Sequence, residues 1–201
     1  MPRNRSQEIL SNLLKSGFLQ IEKSKEEKPK PKRKNEKLKR ELRRYIVHDK
    51  VHFRSNFARF WFRFVEPNLE LLKAGKFELV LDMIRDDFDN YASLAFELLS
   101  AELLKKSLSI KGEISSFWTN HEEIDLFWQD SSGNIGVAEA KYKDRKVCKN
   151  ILTLLEKKCH KIGLTPQTYA LFSRSGFSKE LLKQREDVLL FDIEDFRLLL
   201  N

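Results

Sequence analysis

Glycine and proline are scarce, at seven and five among 201 residues. Sandwiches and small barrels place many such residues in their turns, so the composition excludes an all-β architecture in favour of a helix-rich or mixed one. Long apolar runs are missing as well. No stretch approaches the roughly 18 uncharged residues of a membrane span. The polar, basic start from Met1 to Arg5 has no signal-peptide core behind it, so the expected location is cytoplasmic. Only Cys148 and Cys159 occur, eleven positions apart in one expected helix, a spacing that suits neither a disulfide nor a zinc site. Both are read as reduced, inert thiols. No GxxxxGK[ST] run is present, which excludes ATP hydrolysis by this chain on motif grounds.

Aromatic and charged side chains are plentiful. Fifteen Phe, three Trp and a hydrophobic content of 41% suffice for one aromatic core and a small second unit beside it. The formal charge of +8 is unevenly spread: residues 1–21 carry +2, residues 22–44 carry +7 and residues 45–201 carry −1. The excess belongs to one segment, where Lys30, Lys32, Arg33, Lys34, Lys37 and Arg40 are the expected nucleic-acid contacts. A solvated, Lys-rich linker is the competing reading of that segment.

Periodicity orders the rest. Ile9, Leu10, Leu13 and Leu14 stand at helical spacing before Gly17, a C′ glycine by position. Strands are expected at Phe18 to Glu22 and Arg44 to His48, on either side of the basic run with Pro29 and Pro31. Helix, strand, basic tip and strand resemble the closing half of a winged helix, so the chain is expected to begin inside a domain. Phe53, Phe57, Phe60, Trp61 and Phe64 share one helical face between His52 and Pro67, a pattern of core residues or, with Arg54, Arg59 and Arg63, of a stacking platform. A second helix stops at Gly75, and a longer one from Phe77 to Lys106 is expected to break near Asp86 to Asn90. Strands at Lys111 to Trp118, Glu123 to Gln129 and Ile135 to Lys143 follow. A helix (Lys146 to Ile162), a strand (Gln167 to Ser173), a helix (Ser178 to Arg185), a strand (Val188 to Asp192) and a closing helix complete a mixed sheet covered by helices.

One strand carries chemistry. Alternation along Ile135-Gly-Val-Ala-Glu-Ala-Lys141 turns Glu139 and Lys141 to the same face. If Ser131-Ser132-Gly133 is a three-residue hairpin loop with Gly133 left-handed, residues whose numbers sum to 264 pair, and Asp125 stands opposite Glu139. Asp125 is expected to face away from its neighbours Ile124 and Leu126. Like charges opposed across strands are destabilising unless something neutralises them, and Mg²⁺ favours one or two carboxylates with water and phosphate. Lys141 would then orient a water or stabilise charge on phosphorus. A solvated Asp/Glu/Lys cluster on a sheet face is the competing reading. His121, just before the Asp125 strand, is a candidate general base, though a lone His in a polar turn is more often solvated, and His160 is read as incidental.

These residues carry a resemblance. The run FWTNHEEIDLFWQDSSGNIGVAEAKYK from Phe117 to Lys143, followed by Tyr169-Ala-Leu-Phe-Ser-Arg-Ser-Gly-Phe177, resembles a domain of unknown function. It is the nuclease-like C-terminal domain of the PD-(D/E)xK superfamily found on archaeal-type AAA+ ATPases. Upstream, Arg44-Tyr-Ile-Val-His-Asp49 and Phe57-Ala-Arg-Phe-Trp-Phe-Arg-Phe-Val-Glu-Pro-Asn68 are similar to its linker and helical part. The resemblance implies an α/β, restriction-endonuclease-like mixed sheet flanked by helices, with a Mg²⁺ (or Mn²⁺) site. Asp125 and Glu139 would be the metal ligands, Lys141 the catalytic lysine, and Glu97 in Ala95-Phe-Glu-Leu98 the acid of the first helix. Glu102 is a poorer candidate, with Lys106 four residues on. The ATPase part is absent from this chain, which reads as an isolated piece.

The expected organisation is a partial winged-helix-like segment with a basic tip (1–49), a helical linker region (50–90) and a nuclease-like domain (91–201). Two functions compete. One is metal-dependent DNA phosphodiester hydrolysis, and the other is a catalytically unused DNA-binding or interaction module that partners an AAA+ ATPase on another polypeptide.

Overall fold

The computed structural model describes residues 3–26, 29–31, 33, 36–183 and 188–200. It forms two compact units, Met1–Lys23 with His48–Ala92, and Ser24–Val47 with Ser93–Asn201. No described helix is long and apolar enough to cross a membrane.

The first unit opens with α1 (Arg3–Lys15) and β1 (Leu19–Glu22). Gly17 takes φ +73°, and the amides of Gly17 and Phe18 return to the carbonyls of Leu14 and Leu13, closing the helix end. After a helical turn α2 (Arg40–Arg43), which belongs to the other unit, β2 (Lys50–Phe53) pairs antiparallel with β1, setting Leu19 opposite Phe53. The strand expected at Arg44 to His48 is thus displaced to Lys50–Phe53. Phe53 supports the later position: it stacks on Phe62 at 5.3 Å and meets Phe18 edge-on at 5.6 Å, whereas Tyr45 of the expected run donates to Glu26.

The aromatic helix starts later than periodicity indicates, at α3 (Asn56–Phe60), where Ser55 Oγ accepts from the Ala58 amide. A π-helical turn (Trp61–Val65) follows, then a 3₁₀ turn at Pro67 and α4 (Leu69–Lys73). The wider turn rotates later side chains relative to earlier ones. Phe60 and Phe64 pack around Tyr91, at 5.8 and 5.6 Å, whereas Phe57, expected on the same face, is 70% exposed. α5 (Phe77–Ser107) runs unbroken, without the interruption expected at Asp86 to Asn90. Its polar residues there are held laterally: Asn90 donates to Asp87, and Arg63 pairs with Asp87.

The second unit holds the sheet. β3 (Ser115–Trp118), β4 (Glu123–Gln129), β5 (Ile135–Lys141), β6 (Thr168–Ser173) and β7 (Leu189–Asp192) lie in that order. The first three are antiparallel and the last three parallel, joined through α6 (Lys149–Lys161) and α7 (Lys179–Leu182). This is the mixed α/β sheet expected, consistent with a restriction-endonuclease-like fold. One core gathers Leu152, Leu155 and Cys159 of α6 and Leu181 of α7 with Ile124, Val137 and Leu171 of the sheet. The other gathers Phe96, Leu103 and Leu104 of α5 with Leu126, Trp128, Ala138 and Phe172, and Phe196 of the closing 3₁₀ turn packs on it. Each fully buried Leu or Phe contributes about 1.5–3 kcal/mol, so helices on both faces are what make the sheet stable.

Small residues on β5 make room for the second core. Trp128 stands opposite Gly136, and a Cβ built on Gly136 would lie 2.0 Å from the indole. Gly136→Ala should therefore destabilise the protein by about 1–3 kcal/mol through overpacking, read as a lowered urea midpoint. An unchanged midpoint would mean that the indole does not rest on this backbone.

Candidate functional site

A turn sets the site. Asp130 Oδ1 accepts the amides of Ser132 and Asn134, the Gly133 amide returns to the Asp130 carbonyl, and Gly133 takes φ +83°. The resulting loop is the one expected, and it fixes the register: Leu126 faces Ala138 and Phe127 faces Val137. One step further along, Asp125 meets Glu139, and Asp125 Oδ2 accepts the Ala140 amide at 2.9 Å.

The alternation assumed for β4 fails at this point. Ser115 pairs with Phe127 but Phe117 with Ile124, so three residues of β4 span two of β3. The bulge sends Ile124 into the same core as Phe127, while Leu126 and Trp128 join the opposite one. Asp125 is thus aimed by an irregularity and not by simple alternation with Ile124.

Three of the residues singled out in the sequence converge. Lys141 Nζ lies 2.6 Å from Glu139 Oε1 and 3.9 Å from Asp125 Oδ2. Glu139 is 6% exposed, and Asp125 is mostly enclosed. Glu97, half-buried on α5, contributes its charge to the field at Lys141. Sequence reasoning missed Lys158, whose Nζ reaches both oxygens of Glu139 at 3.1 and 2.9 Å. The signal was present: Ile151, Leu155 and Cys159 lie on the apolar arc of α6, and Lys158 borders it, seven residues after Ile151. A lysine beside such an arc needs a buried acid nearby.

Burial, and then the charge of Glu139, push the Asp125 carboxyl up to about 6, against the lowering influence of Lys141, the Ala140 amide and Lys158. At Lys141 burial works against the ammonium, but Glu139, Asp125 and Glu97 outweigh it, so its pKa is raised. Asp125 Oδ1 has no hydrogen-bond partner among the described residues. Two carboxylates, one with an oxygen to spare, suit an oxygen-preferring divalent cation that completes its shell with water and phosphate. No group of three His, Cys, Asp or Glu side chains placed to hold a metal occurs among the described residues.

The other candidates lie elsewhere. Lys30, Arg33, Lys37 and Arg40 are exposed, and Lys32 and Lys34 fall outside the described residues. That basic segment is tied to the sheet at its start and closed on itself near its end. Ser24 Oγ donates to the Trp118 carbonyl, Lys25 pairs with Glu113 at 2.8 Å, and Tyr45 donates to the Glu26 carboxylate at 2.8 Å. His121 is exposed, and Cys159 is buried with its thiol pushed up to about 11, chiefly by desolvation.

Three similarities bear on the chain. A family described as archaea bacterial proteins of unknown function matches residues 61–162. An uncharacterized protein of Methanocaldococcus jannaschii is 33% identical over 172 residues, which are 80% of this chain and 36% of that one. The chain thus spans about a third of that relative's length. The solved structure of an EndoMS–dsDNA complex has a TM-score of 0.31 and 18% identity, covering 48% of this chain and 44% of that one.

The raised Asp125 value gives a test in protein free of divalent metal. Between the ordinary 3.8 and about 6 the folded state binds more protons than the unfolded one, so ionising Asp125 costs stability as pH rises through that window. Asp125→Asn should abolish this component. The stability of variant minus wild type should climb across the window and level off above it, measured by urea unfolding at each pH; a flat difference would contradict the raised value.

Proposed function

The chain belongs to the DUF234 family, and we propose that it carries a divalent-cation-dependent site for hydrolysing DNA phosphodiesters. Asp125 and Glu139 act as the cation's ligands, and Lys141 as the catalytic lysine. The observation that carries this reading is the convergence of two enclosed carboxylates and a lysine on one spot of the β4–β5 hairpin. Opposed carboxylates are destabilising on their own, and a protein that keeps them there gains most when a cation joins them.

When bound, Mg²⁺ or Mn²⁺ would polarise a phosphoryl oxygen and lower the pKa of a coordinated water. The protein's own part is positional. The Ala140 amide fixes one oxygen of Asp125 and leaves the other to point at a ligand. Lys141, anchored on Glu139 and near Asp125, presents an ammonium where a phosphate approaching the two acids would develop negative charge. Glu97 adds to the negative field that keeps Lys141 charged. Exposed Lys30, Arg33, Lys37 and Arg40 add a sequence-independent attraction for the DNA backbone.

A second reading has a specific observation behind it. Lys141 and Lys158 together hold both oxygens of Glu139, so the cluster is already neutralised without a metal. On that reading the domain binds DNA or an AAA+ ATPase partner and leaves the chemistry unused.

Two variants separate the readings. Mn²⁺ should raise the melting temperature of the wild type, and Asp125→Asn should remove most of that rise. Lys141→Ala should keep the rise yet lower DNA cleavage about a hundredfold or more, since it removes a transition-state contact and not a ligand. Wild type without metal-dependent cleavage, or Lys141→Ala cleaving at the wild-type rate, would overturn the hydrolytic reading and favour the binding one.

A further inference from the structure

The parallel strands β5 and β6 end side by side, and the chain leaves each through a short loop, residues 142–148 before α6 and residues 174–178 before α7. The two loops are stitched together. The Arg174 amide donates to the carbonyl of Lys141 at 3.1 Å, and Ser175 Oγ to that of Lys143 at 2.9 Å. Val147 donates to Gly176 and receives from Ser178, both at 2.9 Å. Val147 and Phe177, bridged to each other, are buried beneath. Ser173 Oγ closes the second loop on the Gly176 carbonyl at 2.7 Å. Loops bonded in this way present their side chains from a fixed base.

What they present is positive. Lys143, Arg145, Lys146 and Lys179 are exposed, and Lys149 and Arg174 half-exposed. Arg174 lies over the Tyr142 ring at 4.7 Å. Within residues 142–149 and 174–180 the acids are Asp144 and Glu180, 85% and 68% exposed, and their pairs with Arg174 and Lys149 are long, at 4.0 and 3.9 Å. The bias extends beyond the loops: residues 141–183 carry +8, whereas residues 93–140 of the same unit carry −5. Residues 93–201 sum to zero, so their charge is unevenly distributed along the chain, and the positive stretch begins at Lys141 itself.

We infer that these two loops form a platform for the sugar-phosphate backbone of DNA, which would hold the strand against the Asp125–Glu139–Lys141 cluster; the inference rests on the hydrolytic or DNA-binding reading given above. No large apolar side chain is exposed in either loop, so the surface offers nothing to anchor an acidic protein partner or to enter a lipid bilayer. Closely spaced cations on a rigid base suit a polyanion whose charges recur along a chain. The platform adjoins the cluster directly, through the Arg174–Lys141 hydrogen bond, whereas the Lys-rich segment is tied down at the β3 side of the sheet.

The test measures binding of the full chain to a labelled DNA duplex by fluorescence anisotropy, with EDTA present, over a series of salt concentrations. Lys143, Arg145 and Lys146 are exposed and are replaced together by Ala; Lys30, Arg33 and Lys37 are replaced in a second triple variant. Removing three phosphate contacts should weaken binding and lower the slope of log affinity against log salt by about 2–3, and metal-dependent cleavage at limiting DNA should fall in step. Loss confined to the Lys30/Arg33/Lys37 variant, with wild-type slope and affinity after neutralising the platform, would overturn the inference while leaving the hydrolytic site standing. Wild type that neither binds nor cleaves DNA would overturn both.

Discussion

Everything at the site follows from one hairpin turn. Asp130 gathers the amides of Ser132 and Asn134, and Gly133 supplies the left-handed residue that lets the chain reverse after three positions. Because side chains alternate along a strand, a slip of one residue would send Glu139 and Lys141 to the opposite face and put Ala140 in their place. The bulge on β4 then adjusts Asp125 within that register. Two acids are set against each other by backbone geometry, and the fold tolerates them through Lys141, Lys158 and the Ala140 amide.

The two cores show how much of the sheet is devoted to holding this hairpin rigid. β5 is the central strand and β4 lies between it and β3, so neither is an edge strand. α6 packs its apolar arc on one face and delivers Lys158 from the border of that arc, so a helix that stabilises the sheet also completes the charge balance of the site. α5 covers the other face and brings Glu97 near Lys141. The site is thus framed by elements whose packing would be needed in any case.

Much of this was legible in the sequence, where a local rule operated without competition. The Asp130–Gly133 turn, the register, the mixed sheet and the shared face of Glu139 and Lys141 follow from turn chemistry and alternation, whereas the aim of Asp125 depends on the β4 bulge, which alternation does not foresee. Misreadings arose where distant contacts decided the outcome. The second strand of the first unit lies at Lys50–Phe53 because Phe53 finds Phe18 and Phe62, partners remote in sequence. α5 stays whole because Arg63, 24 residues away, neutralises Asp87. The aromatic stretch is interrupted by a π-helical turn, invisible to a fixed period of 3.6, and Phe57 before it is exposed. Lys158 leaves no mark in a Glu-x-Lys spacing on a strand; its signal is a charge beside the apolar arc of α6.

Neither unit is a continuous stretch of chain. The first is interrupted by Ser24–Val47, which belongs with the second, and the boundary between Ala92 and Ser93 falls inside the unbroken α5. The backbone therefore passes from one unit to the other three times. No single break in the gene separates the two units: every cut leaves pieces of both on at least one side. The two halves of this chain are in that sense one heritable module, to be exchanged, duplicated or lost together.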